Sequence, residues 1–431
     1  VIIMTNKLQE MLDFIHESPV CFFAAANVKK RLQDAGYEEV TDLGVIKTGG
    51  KYFLTRNNSA VIAFRVPEGS VKGFVISAAH SDSPCLKIRD KAELEGGVAI
   101  RLDTERYGGM INACWVDRPL SVAGRVMVRT ENGVAVRLVD LKKDMALIPN
   151  VAIHMNRAMN DSVKYDPAKD LVAVYGETEN KGRFYEEIAE AAGCAKEDIL
   201  GTDLYLYNNQ AGTVWGPSGE YVSSPRLDDL ACVFSCLEAF LTAKDTDRVP
   251  VLCVFDNEEI GSGTKQGAGS DFLPRVLKGI SRGLGLNENA HYVLLDNSFF
   301  LSCDNGHAKH PNHPEMADTN EYPVVNGGIV IKHSPKYATD AVSCAVFTEI
   351  CRRAGVKLQS YANRPDIVGG GTLGLIADTK TPVYTVDIGM AQWAMHSNFE
   401  TCGSRDIENF ILGVKAAYET TPDFTDERVT F

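Results

Sequence analysis

The hydrophobic period of the chain changes twice along its length, and the two changes bound what it can fold into. From residue 222 onward, helical spacing alternates with strand-length apolar runs. "RLDDLACVFSCLEAFLTA" has helical spacing, "VPVLCVF" is a buried strand, "DFLPRVLKGI" a helix and "HYVLLDNSF" a strand. "AVSCAVFTEICRRAG", "PVYTVDIG" and "IENFILGVKAAYE" continue the alternation. Near the N-terminus, Thr5 to Gly36 reads as two helices broken at Ser18-Pro19, and "AVIAFRVP" and "GFVISAAH" read as strands. Between Ala92 and Tyr221 the pattern instead alternates apolar and polar residues, and "SVAGRVMVRTENGVAVRLVDL" carries an Asn-Gly turn in its middle, the signature of an antiparallel hairpin. At 431 residues the chain exceeds one small core. The expectation is an α/β fold, a mixed sheet flanked by helices. Residues 1–91 and 222–431 would form one discontinuous domain, with a β-rich unit, 92–221, inserted into it.

In such sheets ligands collect where strands end at their carboxyl termini, so the residues just past each apolar run are informative. "GFVISAA" ends in His80, Ser81 and Asp82, and "VPVLCVF" ends in Asp256, Glu258 and Glu259. "HYVLLDNSFFLSC" ends in Asp304, "PVYTVDIGMAQWAM" ends in His396, and Asp228 heads its helix. Each residue alone has an ordinary explanation as a core histidine, a helix-start carboxylate or a turn residue. Their joint position is harder to explain that way. Asp228, Glu259 and Asp304 brought together without a cation would be driven to protonate, whereas two divalent ions offset them. The chemistry of that arrangement is two-metal hydrolysis, in which the ions acidify a water and a carboxylate outside the coordination shell takes its proton. If the segment is extended, Glu259 faces metal and Glu258 faces the water. Asp82, two residues beyond His80, is spaced to orient that imidazole.

Two other motifs compete. In "GHAKHPNHPEM", His307, His310 and His313 recur every third residue, but Pro311 and Pro314 argue against a helix that would align them. Gly369 to Gly371 suggests a phosphate cradle but lacks the G-K-[ST] ending, so a tight turn or a close backbone approach to substrate is expected.

The net charge of −13 disfavours nucleic-acid and anionic-membrane partners, which need clustered Lys and Arg. No apolar run has the ~20 residues of a membrane helix, and the opening has too short an apolar stretch for a signal peptide. Val1 to Ile3 are read as preceding a start at Met4, and a cytosolic protein is expected. The eleven cysteines are scattered, several of them inside apolar runs (Cys21, Cys253 and Cys344), as suits buried reduced thiols. Cys232 and Cys236 read as core.

With these residues placed, the sequence resembles the aspartyl aminopeptidase family of metallo-aminopeptidases, which includes vacuolar aminopeptidase I. The segments "ESPVCFFAAANVKKRLQDAGY", "SAAHSDSPCLKIR", "WVDRPLSVAGRVMVR", "IPNVAIHMNR", "SPRLDDLA", "DNEEIGS", "HAKHPN" and "QWAMHS" carry the resemblance, in order and nearly end to end. It implies a zinc-exopeptidase-like fold with an inserted dimerisation domain. One metal would be held by His80, Asp228 and Asp304, the other by Asp228, Glu259 and His396, and Glu258 would be the general base. Zinc is the default metal, with cobalt or manganese accepted by carboxylate-rich sites. Lys332 and Tyr337 match substrate-pocket positions, His310 keeps register with a family histidine, and His154 matches one that reaches a neighbouring subunit's active site. Family members form tetrahedral homododecamers.

The sequence departs from the family in "SCDNGHAKHP" at three places, at Asp229 where Asn is general, and around "VIKHSPKYATD", where the loop is shorter. The expected activity is removal of N-terminal residues, acidic ones foremost, from peptides with a free N-terminus. Against it stand an aminopeptidase of neutral preference, a deacylase or carboxypeptidase on the same metal scaffold, and an inactive shell-forming or cargo-binding homologue.

Overall fold

The structure is a computed structural model and describes residues 6–431; the start expected at Met4 lies outside them. The expected α/β architecture is present. Nine strands form one mixed sheet in the spatial order Glu38–Glu39, Lys51–Arg56, Ala60–Arg65, Arg248–Phe255, Gly73–His80, Phe299–Cys303, Tyr384–Gly389, Ile329–His333 and Leu358–Ala362. The four strands from Arg248–Phe255 to Tyr384–Gly389 run parallel to one another. Phe255 pairs with His80, so these strands end side by side and hand their next residues to one edge of the sheet.

Side chains alternate across the strands, and each face buries its own cluster. Val61, Ala63, Val75 and Ala79 point toward helices Asn6–His16, Cys21–Asp34, Leu227–Thr242, Ala341–Ala354 and Asp406–Tyr418. Ile62, Phe64, Ile76 and Ala78 meet Phe272, Val276 and Ile280 of helix Phe272–Gly283. The helix ends are specified locally: Asp340 and Ser343 form a reciprocal capping box before Ala341–Ala354, and Gly355, at φ 68°, closes it.

A second sheet of six antiparallel strands runs in the order Gly133–Asp140, Ser121–Thr130, Ile199–Tyr207, Cys85–Leu94, Ile100–Tyr107 and Ala173–Gly176. It has its own apolar cluster, closed by Phe184 and Ile188 of helix Arg183–Ala192. Its strand Cys85–Leu94 crosses the boundary expected between residues 91 and 92. A small sheet, ordered Thr213–Trp215, Tyr221–Ser224, Glu400–Gly403, Ala391–Trp393 and Gly306–His307, lies across chain segments distant in sequence.

Two local expectations are corrected. "HYVLLDNSF" is mostly helix: Glu288–Asp296 is helical and the strand begins only at Phe299. The Asn287 side chain caps that helix by accepting from the Ala290 amide, and Leu294 falls on the same buried face as His291, three residues before it. In the hairpin Thr130 pairs with Gly133, so the two-residue turn is Glu131-Asn132 and Gly133 opens the returning strand. All eleven cysteines are free; Cys21, Cys232, Cys236 and Cys253 are buried, and Cys344 is half-buried. Among the described residues no helix is long and apolar enough to cross a membrane.

Helix Leu227–Thr242 is central to both the core and the site it leads into. Its fully buried Phe234 packs 5.9 Å from the Phe14 ring, with the Arg31 guanidinium 5.1 Å above it. Phe234→Ala is expected to lower stability by about 3–5 kcal/mol, read as a shift of the chemical denaturation midpoint. A loss below about 1 kcal/mol would show that this packing is not what holds the helix to the sheet.

Candidate metal centre

The charged residues gather at the edge where the four parallel strands end. His80 closes its strand, Asp304 comes directly after Phe299–Cys303, and Glu258 and Glu259 come after Arg248–Phe255, beyond Asp256 and Asn257. Asp228 sits in the first turn of Leu227–Thr242, and His396 in the loop between Ala391–Trp393 and Glu400–Gly403. Three groupings of ligating atoms each fall within 4.8 Å: His80 with Asp228, Asp229 and Asp304; Asp228 with Glu259 and His396; and His80 with Glu258 and Glu259.

Asp228 is common to the first two groupings, and its two oxygens face different imidazoles. Oδ1 lies 3.5 Å from His80 Nε2, and Oδ2 lies 3.5 Å from His396 Nε2, which is also 3.4 Å from Glu259 Oε2. Both rings are turned by main-chain carbonyls: His80 Nδ1 donates to Asp82 O and His396 Nδ1 to Gly109 O, each at 3.0 Å. A carbonyl can only accept, so Nδ1 carries a proton and Nε2 faces the carboxylates.

The Asp82 carboxylate lies 3.4 Å from His80 Nδ1 and does more than support that ring. Oδ1 accepts the Glu258 amide and Oδ2 the Glu259 amide, each at 3.1 Å, and Oδ2 also accepts the Tyr107 phenol at 2.7 Å. With Asn257 left-handed at φ 61°, Glu258–Ile260 is a 3-10 turn, not the extended segment expected. The reason is physical: one carboxylate drawing in two consecutive amides curls the backbone around itself. Glu258 and Glu259 consequently both approach His80.

The electrostatics follow from burying several carboxylates and imidazoles together. Burial, reinforced by Asp228, pushes the Glu259 carboxyl well above the usual range, and burial, with Asp228 adding to it and Lys332 opposing, raises Asp304. Burial works to lower His80, but Asp228 and Asp82 outweigh it and hold the imidazole well above its usual value. Asp228 is itself lowered, because His80 outweighs its burial. Asp228 Oδ1, Asp229 Oδ1 and Glu259 Oε1 are buried with no hydrogen-bond partner. Oriented imidazoles and unpartnered buried carboxylate oxygens fit a metal ion, which would satisfy both at once.

Further contributors lie outside the expected site residues. Glu400, 1 % exposed, accepts the Asp228 amide at 2.9 Å and the His396 amide at 2.7 Å, tying the two residues together. Asp229 accepts the His80 amide at 3.2 Å; burial, with Asp304 and Asp228 adding to it and His80 opposing, pushes its carboxyl well above the usual range. Gly109 contributes only a carbonyl, which no side-chain pattern encodes.

Of the residues matched to substrate positions, Lys332 is 2 % exposed, with Nζ 3.3 Å from Asp304 Oδ2 and 5.7 Å from the centre of the Tyr337 ring. His310 stands apart, lining a surface pocket with His307, Asn363 and Gly369; its Nδ1 accepts the Asn312 and His313 amides at 3.1 Å. None of the three ligand groupings among the described residues includes His307, His310 or His313. His154 is exposed in the loop after residue 150, outside the cluster of its own chain.

Residues 14–418 match the family described as "Aminopeptidase I zinc metalloprotease (M18)". A "Probable M18 family aminopeptidase 2" of Clostridium acetobutylicum is 42% identical over 419 residues, covering 94% of this chain and 97% of that protein. Among solved structures, one titled "Cryo-EM structure of the Ape4 and Nbr1 complex" superposes with a TM-score of 0.92 at 30% identity, covering 96% of this chain and 85% of that one. Another, "Structure of S. cerevesiae mApe1 dodecamer", superposes with a TM-score of 0.83 at 26% identity, covering 96% and 98%.

The carboxyl shifts have a consequence for stability. Burial pushes Glu258 from the usual 4.5 up to about 7, with Asp304 and Asp82 adding to it and His80 opposing. Burial and then Asp82 push Asp256 from 3.8 up to about 7. An acid whose pKa is higher folded than unfolded stabilises the fold fully at pH below its unfolded value, and that contribution is lost as pH rises through the folded value. Protein held in chelator should therefore lose stability between about pH 5 and pH 8, and zinc should flatten that decline. Denaturation midpoints that rise over this interval in chelator would contradict the electrostatics.

Proposed function

The chain belongs to the M18 family of zinc metallo-aminopeptidases, and from that premise we propose a two-ion aminopeptidase centred on Asp228. His80, Asp228 and Asp304 would hold one cation and Asp228, Glu259 and His396 the other, with zinc the expected metal. The observation that carries this reading is that the two oxygens of Asp228 face separate imidazoles, each side completed by a further carboxylate. When bound, such ions supply Lewis-acid polarisation of the scissile carbonyl and acidify the attacking water.

The remaining work falls to the protein. Glu258 takes the proton of the attacking water and returns it to the departing amine, so the bond between the first two residues breaks as the new C–O bond forms. Its amide is pinned by Asp82, which keeps the carboxylate beside His80 while the neighbouring Glu259 reaches His396. Glu400 keeps Asp228 and His396 in register. Glu258→Gln should lower kcat by about 10²–10⁴ or more while zinc content is retained. Near-wild-type turnover would remove Glu258 from the mechanism.

We take the 92–221 unit to mediate self-association into a homododecamer of tetrahedral form, with His154 exposed toward a neighbour and the assembly cytosolic. A preference for N-terminal Asp or Glu rests on Lys332, a buried cation beside Asp304 and Tyr337. Once Asp304 serves a metal ion, the ammonium is available to a substrate carboxylate, and His310 borders the adjoining pocket. Lys332→Ala should cost about 2–5 kcal/mol in kcat/KM for Asp and Glu substrates relative to Leu. Equal losses on all substrates, or a wild type that prefers Leu, would replace this specificity with a neutral one.

A further inference from the structure

The six-stranded sheet reaches into the metal centre through one short stretch of chain. Tyr107 ends the strand Ile100–Tyr107, and residues 108–111 continue directly past the ligands. The Tyr107 phenol donates to Asp82 Oδ2 at 2.7 Å and accepts from Asn257 Nδ2 at 2.9 Å. Two residues on, the Gly109 carbonyl accepts His396 Nδ1 at 3.0 Å, and the Ile111 amide donates to the His396 carbonyl at 3.0 Å. Gly108 passes so close that a Cβ there would lie 3.1 Å from Glu259 Cβ. The chain therefore touches both halves of the site, the Glu258-Glu259 turn through Asp82 and the His396 loop directly.

Tyr107 is held for this role from its own sheet. Its ring packs edge-on against Tyr205 of the strand Ile199–Tyr207, with centroids 5.9 Å apart. Burial, with Asp82 and Asp256 nearby, keeps the phenol protonated far above its ordinary range, so it is a permanent donor. Asp82 gives its two oxygens to the Glu258 and Glu259 amides, and the phenol adds the contact that ties this carboxylate to the six-stranded sheet. Without that bond Asp82 would keep its two amides but lose its tie to the sheet, and the turn they define would be free to shift with it.

We propose that Tyr107 is a positioning residue for hydrolysis: it locks Asp82, and through Asp82 the backbone of Glu258 and Glu259, to the six-stranded sheet. This rests on the two-ion reading above. It makes the sheet a working part of the active site in its own chain, separate from any contact with a neighbouring subunit.

The test is Tyr107→Phe, which removes one oxygen and keeps the ring. At saturating zinc kcat should fall about 10–100-fold with KM within about twofold, and calorimetric titration of the chelator-stripped protein should show zinc affinity weakened about tenfold. In the Tyr107→Phe/Asp82→Asn double variant kcat should be no lower than in Asp82→Asn alone, because Tyr107 acts through Asp82. Unchanged kcat together with unchanged zinc affinity would overturn the proposal. So would losses that multiply in the double variant and track the melting temperature, which mark a purely structural role. If the wild type fails to cleave peptides with a free N-terminus, the functional reading falls, and the zinc titration still decides the role of Tyr107.

Discussion

Carboxylates buried within a few ångströms of one another repel, and no arrangement of neutral side chains relieves that repulsion in a dry site. Asp228, Asp229, Glu259 and Asp304 are in this position, with His80, His396 and Lys332 set against them. The raised Glu259 and Asp304 carboxyls and the unpartnered oxygens both follow from burying these groups together. A divalent ion corrects both, which is why the cluster reads as a metal centre and not as a structural ion-pair network.

Holding such a cluster together before the ion arrives requires a scaffold that resists the repulsion. The register of the parallel strands does part of this, since Phe255 opposite His80 places the Glu258-Glu259 turn beside the imidazole. Outer carboxylates do the rest by accepting backbone amides. Glu400 joins the head of the Leu227–Thr242 helix to the His396 loop, and Asp82 joins the His80 strand to the Glu258-Glu259 turn. Each spans segments that are distant in sequence, so the site is a property of the assembled fold.

That distinction explains how much could be read in the sequence. His80, Glu259, Asp304 and His396 were legible because each lies just past an apolar run, and the strands in between are strongly patterned. Glu400 was not, because in sequence it is one acid in a polar stretch and its importance lies in two amides it reaches only after folding. Tyr107 and Gly109 were hidden for a related reason: an aromatic at a strand end and a glycine carbonyl have no periodicity to betray them. The helix Glu288–Asp296 reads as a strand in sequence because a short apolar run fits both periods, and the Asn287 cap and the pairing of His291 with Ser281 decide between them in the fold. The part played by Asp229 is visible only in the fold, where it is buried and accepts the His80 amide.

The central claim is that Asp228 is shared between two ions. It is tested most directly by crystals of the zinc-loaded protein measured at the zinc absorption edge. Two anomalous peaks per chain are expected, one beside His80 and Asp304 and one beside Glu259 and His396, each next to a different oxygen of Asp228. A single peak, or a second peak lying away from Asp228, for example among His307, His310 and His313, would contradict the sharing.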